Sequence, residues 1–368
     1  LCYYRINMQF FPPSLGLDIS ETSIKLVNLK KGEKGFFDLA AFGKEYLSPG
    51  TIAEGEIKNQ DAFSAALSSV LENEKNGFPK TKFITASLPE DRAFLRVLEL
   101  PLALKGSELE NALKFEIEAN IPLTLAEVYY DYEIVKTDAV SAHYDIMVSA
   151  VPKKIVDAYL SFFNGHGYQI LALEVESTAA QRSLFSGREA QESVLVLDIG
   201  SAITRFMIIS EGMLRFTSSN SVAGNRFSQT LTEHFSLNLK EAEFMKRVAG
   251  LDKNQHRGRE MLEVLKPGLA ALAGQVKDYI NFFETHPTSH GLSENAQKIS
   301  KVMLTGGGAA LWGLADWLSQ EVGVPTILGN PLIRIRSNDF AGARMSVEDS
   351  LSYTTAIGLA IRNFEEIA

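Results

Sequence analysis

Cysteine is nearly missing from this chain of 368 residues. Cys2 stands alone, so neither an intramolecular disulfide nor a structural zinc site built on thiolates can form, which fits a reducing compartment. Also lacking is any run of about 18 uncharged apolar residues, so the chain is not expected to cross a bilayer by itself. Residues 1–11 mix tyrosines with Arg5, Asn7 and Gln9 and have no continuous apolar stretch before a small-residue cleavage site, so no secretory signal is expected. The chain starts at Leu1, Met8 offers an alternative start, and residues 1–13 are read as an extension expected to be disordered. Positive charge is in deficit, with 36 Lys and Arg against 45 Asp and Glu and a net charge of -9. That balance argues against a broad electrostatic surface for nucleic acid or anionic lipid. There is no Walker A loop, no dinucleotide fingerprint and no Gly-x-Ser-x-Gly elbow, which removes support for three common chemistries. His286 and His290 are four apart, but Pro287 places them in a loop without an acidic third ligand, so no zinc site is expected.

What is present is apolar mass and a repeat. Hydrophobic residues make up 45% and charged residues 22%, enough to bury a core, and the length exceeds what one core usually fills, so two lobes are expected. Leu17-Asp18-Ile19-Ser20 near the start returns as Leu197-Asp198-Ile199-Gly200 in the middle. Each copy is an apolar strand ending in aspartate and small polar residues, followed by a second β-rich run, 24–29 and 204–209, which reads as a hairpin. A third element is Val302-Met303-Leu304-Thr305-Gly306-Gly307-Gly308. It is a strand running into three glycines and then into a helix carrying Leu311, Leu314 and Leu318. Glycines without Cβ atoms let a ligand lie on the backbone, and a following helix N-terminus favours anionic groups.

Two aspartate hairpins followed by a glycine turn resemble the phosphate-one, phosphate-two and adenosine motifs of the actin-like ATPase superfamily, over 16–25, 197–206 and 304–314. Glu176-Ser177-Thr178-Ala179-Ala180 is similar to its first connecting helix and Thr354-Thr355-Ala356-Ile357-Gly358-Leu359-Ala360 to its second, with small residues where helices cross. Ala242-Glu243 followed by Lys246 is similar to the helix that contacts ribose and base in MreB, FtsA and heat-shock chaperone ATPases. The resemblance implies an α/β fold of the two-lobed, ribonuclease H-like kind, with an inserted α+β subdomain in the first lobe. The first lobe is expected from 14–90, 175–194 and 350–368, the insertion over 91–174 and the second lobe over 195–349.

The insertion narrows the resemblance. Residues 92–101 form a strand pattern ending in Leu-Glu-Leu-Pro, and Ser107 with Glu110 has the spacing of a capping box opening a helix to about Asn120. Ile121-Pro122 stops that helix, strands follow at 128–135 and 144–151, and 153–164 is amphipathic through Val156, Tyr159, Leu160 and Phe163. This order, with Ala150-Val151-Pro152-Lys153-Lys154, resembles the PilM family of type IV pilus assembly proteins. The closing helix, expected over 350–367 and ending in Glu365 and Glu366, lacks the basic amphipathic face of a membrane-lying tail.

By that resemblance the cofactors are ATP and magnesium. Asp18 and Asp198 would hold the magnesium through water, and Lys25 would reach the phosphates as a point charge. Backbone amides of 20–23, among them Ser20, Thr22 and Ser23, and of 200–202, among them Gly200 and Ser201, would cradle those phosphates, and Gly224 would close that end. Glu176 would position attacking water, making Glu176, Asp198 and Lys25 the catalytic set. Gly306, Gly307 and Gly308 would line one side of the nucleoside, with Glu243 and Lys246 on the other; without the motifs, those two read as a solvated helix face. Ser20 and Glu21 replace the glycine and serine frequent in the first motif, and Ser177 replaces a proline, so hydrolysis is expected to be slow at most. The implied partner is the N-terminal cytoplasmic peptide of the inner-membrane protein PilN, gripped along 100–120. The chain would be a cytoplasmic scaffold held at the inner membrane by that partner, with a homo-oligomer among the states left open. A small-molecule kinase of the same superfamily would need an acceptor base, for which no motif is present. An FtsA-like filament protein would need a membrane tail.

Overall fold

A computed structural model describes residues 14–33, 35–73, 77–138, 142–186, 192–222, 224–252, 254, 256–285, 292–293, 296–336 and 344–364. The extension 1–13, His286 and His290, and Glu365 and Glu366 lie outside the described residues. The chain divides into two units, one of 1–184, 331–345 and 355–368 and the other of 185–330 and 346–354.

The first unit opens with β1 (Ser14–Ile19), β2 (Ser23–Lys31) and β3 (Phe37–Tyr46), a small hairpin of β4 (Ile52–Ala53) and β5 (Glu56–Ile57), helix α1 (Gln60–Glu72) and β6 (Phe83–Leu88). β7 (Phe94–Pro101), α2 (Ser107–Asn120), β8 (Val128–Asp138) and β9 (His143–Pro152) follow. Helix α3 (Lys153–Gly165), β10 (Gln169–Val175) and α4 (Glu176–Leu184) complete this stretch. β1 and β2 run antiparallel while β6 lies parallel beside β1, and β10 lies parallel beside β6. β1 is buried along its whole length, as expected of a central strand covered on both faces.

The second unit holds β11 (Ser193–Ile199), β12 (Thr204–Ser210), β13 (Met213–Asn220), α5 (Gly224–Phe235), α6 (Leu239–Val248) and the long α7 (His256–Thr285). β14 (Ile299–Thr305), α8 (Leu314–Val322) and β15 (Thr326–Leu328) follow. Its sheet order is β13-β12-β11-β14-β15. The chain then supplies β16 (Ile335–Arg336) to the first unit, α9 (Val347–Ser350) to the second and α10 (Thr354–Arg362) to the first. β16 pairs with β3, so the first sheet reads β10-β6-β1-β2-β3-β16.

Five strands of each sheet therefore follow one plan: a hairpin extended by a third antiparallel strand on one side and two parallel strands on the other. The four-residue repeat marks the start of that plan in both units.

Within the stretch 91–174 expected as the insertion lies a separate three-stranded sheet. That sheet, β7-β9-β8, ends at Pro152. Leu98, Leu100, Leu113, Ile117, Ile146 and Val148 form its own core under α2. Helix α3 instead packs on α1, with Phe162 edge-on to Phe63 at 4.9 Å between ring centroids, and β10 joins β6. The capping box at Ser107 is also corrected. Gly106 occupies the N-cap at φ 54° without a side-chain cap, so Ser107 lies inside the helix. A real box stands at α6, where Asn238 accepts from Glu241 N and the Glu241 carboxylate accepts from Asn238 N. Leu311 lies between a 3-10 turn over Gly307–Ala310 and α8 rather than in a helix. The closing helix begins at Thr354, after a 3-10 turn over Leu351–Tyr353.

Candidate functional site

In the first hairpin Asp18 and Lys25 stand directly opposite each other on β1 and β2. The Lys25 ammonium donates to Asp18 Oδ2 at 2.7 Å. Asp18 Oδ1 is buried and has no hydrogen-bond partner among the described residues, a condition that costs about 1–3 kcal/mol unless water or a cation fills it. The loop closes on itself, with Ser20 Oγ donating to Ser23 O at 2.9 Å and accepting from Ser23 N at 3.2 Å. Thr22 Oγ1 lies 3.5 Å from Ser20 Oγ. Glu21 turns outward and accepts from Glu54 N at 3.1 Å.

The second hairpin repeats the device with a different cation. Asp198 and Arg205 are cross-strand partners, 3.3 Å apart. Sequence reading does not single out Arg205, although it lies as far from Asp198 along the chain as Lys25 does from Asp18. The loop is fixed by backbone contacts: Gly200 N donates to Ile203 O at 2.9 Å, and the first amides of α5, Gly224 N and Asn225 N, donate to Gly200 O and Ser201 O at 2.9 Å each. The Gly200 and Gly224 amides are thus already engaged, which leaves the cradle expected there to other groups of the loop.

The three glycines after β14 are not equivalent. A Cβ on Gly306, at φ +82°, would lie 2.3 Å from Asp198 Oδ1, and one on Gly308 would lie 2.4 Å from Ile199 Cγ2. Folding alone requires both. A Cβ on Gly307 would meet nothing closer than Ser352 Cβ at 3.8 Å. Across the same unit Lys246 is buried, donating to Ser228 Oγ at 2.7 Å and paired with Glu243 at 2.8 Å, with Gly224 O at 3.4 Å. Ser228 Oγ also donates to the Glu243 carboxylate. The solvated-face reading of Lys246 fails, since an ammonium this buried needs partners, and Ser228 on the facing α5 supplies one. Gly224, Glu243, Lys246, Asp198 and Gly306–308 all belong to the second unit.

Glu176 opens α4 in the first unit and is buried. Its Oε2 accepts from Glu90 N at 3.3 Å, while Glu90 Oε2 accepts from Ser177 N at 2.8 Å. Glu90 thereby occupies the helix N-terminus, where a carboxylate is favoured. Burial, and then the charges of Glu176, Asp91 and Glu21, push the Tyr159 hydroxyl pKa up. Two residues before Glu176, near the end of β10, Glu174 is buried between two arginines. Burial would raise the Glu174 pKa, but Arg182, bidentate at 2.6 and 2.8 Å, and Arg362 at 2.6 Å hold it down at about 2. Helices α4 and α10 cross where a Cβ on Gly358 would fall 1.8 Å from Ala179 O, the close packing expected of their small residues.

Comparison with known proteins gives one consistent answer. The family described as "Type IV pilus assembly protein PilM" matches residues 16–364. The solved structure "PilM-PilN type IV pilus biogenesis complex" superposes with a TM-score of 0.79 at 23% identity, covering 96% of this chain and 99% of that one. The ethanolamine utilization protein EutJ from Carboxydothermus hydrogenoformans follows at TM-score 0.54 and 17% identity, covering 95% and 89%. MreB 5 of Spiroplasma citri bound to AMPPNP gives 0.54 and 15%, covering 95% of each chain. The fold is that of the actin-like ATPases.

Proposed function

We propose, from the premise that the chain belongs to the PilM family of type IV pilus assembly proteins, that it is a nucleotide-binding scaffold which docks the N-terminal cytoplasmic peptide of a PilN-like inner-membrane protein. The observation that carries this reading is the family match across 16–364, nearly the whole chain. The structure that superposes at 0.79 is a complex of a PilM with a PilN. Among the described residues no helix is long and apolar enough to cross a membrane. Membrane attachment would therefore come through the partner, with the chain on the cytoplasmic side.

The nucleotide is ATP in this reading. Gly307 would carry the nucleoside against the backbone, and Glu243 with Lys246 would hold its ribose or base. Lys25, with the loop groups of Ser20, Thr22, Ser23 and Ser201, would serve the phosphates. Magnesium, when bound, would neutralise phosphate charge; Asp18 and Asp198 suit it because Asp18 Oδ1 is a buried acceptor awaiting a partner. Glu176, oriented by Glu90 N, would position the attacking water, with slow turnover at most.

Titrating a peptide of the first residues of a candidate partner into the protein in apo, ADP and ATP-analogue states tests the scaffold. Retention of one peptide, with affinities that differ between states by about 1–3 kcal/mol of coupling, is expected. Linkage requires the peptide to change nucleotide affinity by the same factor. No peptide binding, together with rapid phosphate transfer to a sugar or acetate, would replace the scaffold by a kinase.

A further inference from the structure

The inserted subdomain covers only one face of its sheet with α2. On that face lie Leu98, Leu100, Ile146 and Val148. Strand alternation sends Val97, Glu99, Asp145 and Met147 to the other face. Glu99 on β7 stands opposite Asp145 on β9 in the antiparallel register. His143 precedes Asp145 by two residues on the same strand, so it shares that face. One donor across the ladder and two alternate donors along one strand form a compact triangle, because cross-strand Cβ atoms are about 5 Å apart. Here one nitrogen or oxygen of each of Glu99, His143 and Asp145 lies within 4.8 Å of those of the other two. His143 Nε2 is 2.9 Å from Asp145 Oδ1.

We propose that Glu99, His143 and Asp145 bind a divalent transition cation of the zinc class, at a site separate from Asp18 and Asp198. One imidazole and two carboxylates, all from one side, suit zinc or its neighbours and leave outward positions for water. Magnesium and calcium prefer all-oxygen sets with more ligands. Asp145 is buried and His143 half-buried, so two of the three donors are held by the sheet; Glu99 is exposed and closes the triangle. Asp131 and Glu133 stand on the same face of β8, in register with Ser149 and Met147, while Lys136 of β8 is in register with Asp145, so two further carboxylates and one lysine border the triangle.

Titration of zinc into the full chain without nucleotide, and of cobalt with visible absorption as the readout, tests the site. One saturable equivalent is expected, with a rise in Tm on adding zinc. His143→Ala should lose that equivalent and Glu99→Gln should weaken it on the order of tenfold. Glu99→Gln alters an exposed side chain and decides the matter alone if His143→Ala does not fold. No saturable zinc binding, or binding unchanged in Glu99→Gln, would overturn the site and leave His143 and Asp145 as a close polar pair only.

Discussion

The two units put opposite materials at the same place in one plan. After β6 the first unit turns through a 3-10 segment of Glu90, Asp91 and Arg92. After β14 the second turns through Gly307–Ala310. The first turn is held by carboxylates, with Glu90 and Glu176 each accepting from the other's segment. The second is held by bare backbone pressed on Asp198 and Ile199. A shared topology thus leaves the first unit's turn organised by charge and the second's by close approach.

The largest effects should come from the glycine turn. Gly306→Ala forces a Cβ into Asp198 at positive φ and should cost about 1–3 kcal/mol or more, read as a lower Tm. Gly307→Val should keep Tm near that of the parent yet abolish ATP binding by calorimetry. Equal Tm losses in both variants would erase the distinction between a fold glycine and a ligand glycine.

Acid should expose the first unit's reliance on charge. The folded Glu174 pKa lies near 2, below its ordinary 4.5, so its contribution is complete above about pH 4.5 and fades as pH falls toward 2. That window holds about 3 kcal/mol, to order of magnitude. Urea unfolding at pH 5 and pH 3 should show a smaller pH dependence in Glu174→Gln than in the parent. An identical dependence would mean the two arginines are not what stabilises this unit against acid.

A smaller effect tests the aspartates of both hairpins. Asp198→Ala should weaken ATP binding in magnesium more than in EDTA, by about tenfold if the residue holds the hydrated cation. Asp18→Ala should behave alike. A loss equal in both buffers would make the Asp198–Arg205 pair structural.

Legibility follows the range of the interactions. The hairpins can be read because Leu-Asp-Ile recurs and strand periodicity is local. The glycine turn is visible as composition, though not that Gly307 differs from its neighbours, since this depends on Ile199 and Ser352. The placement of α3 and β10 escapes sequence reading because the aromatic face of α3 selects Phe63, about a hundred residues away, and β10 selects β6. Burial of Lys246 depends on Ser228 and cannot be read from its own helix. Glu90 gives no local signal, for its role exists only opposite Ser177.

The reciprocal Glu90 and Glu176 contacts fix one end of a continuous stretch of chain. β7 begins four residues after Glu90 and runs for eight residues, about 25 Å at strand rise. Glu99 and Pro101, paired with Asp145 and His143, sit at its far end, so the segment that carries the Glu176 anchor also carries one donor of the proposed cation site.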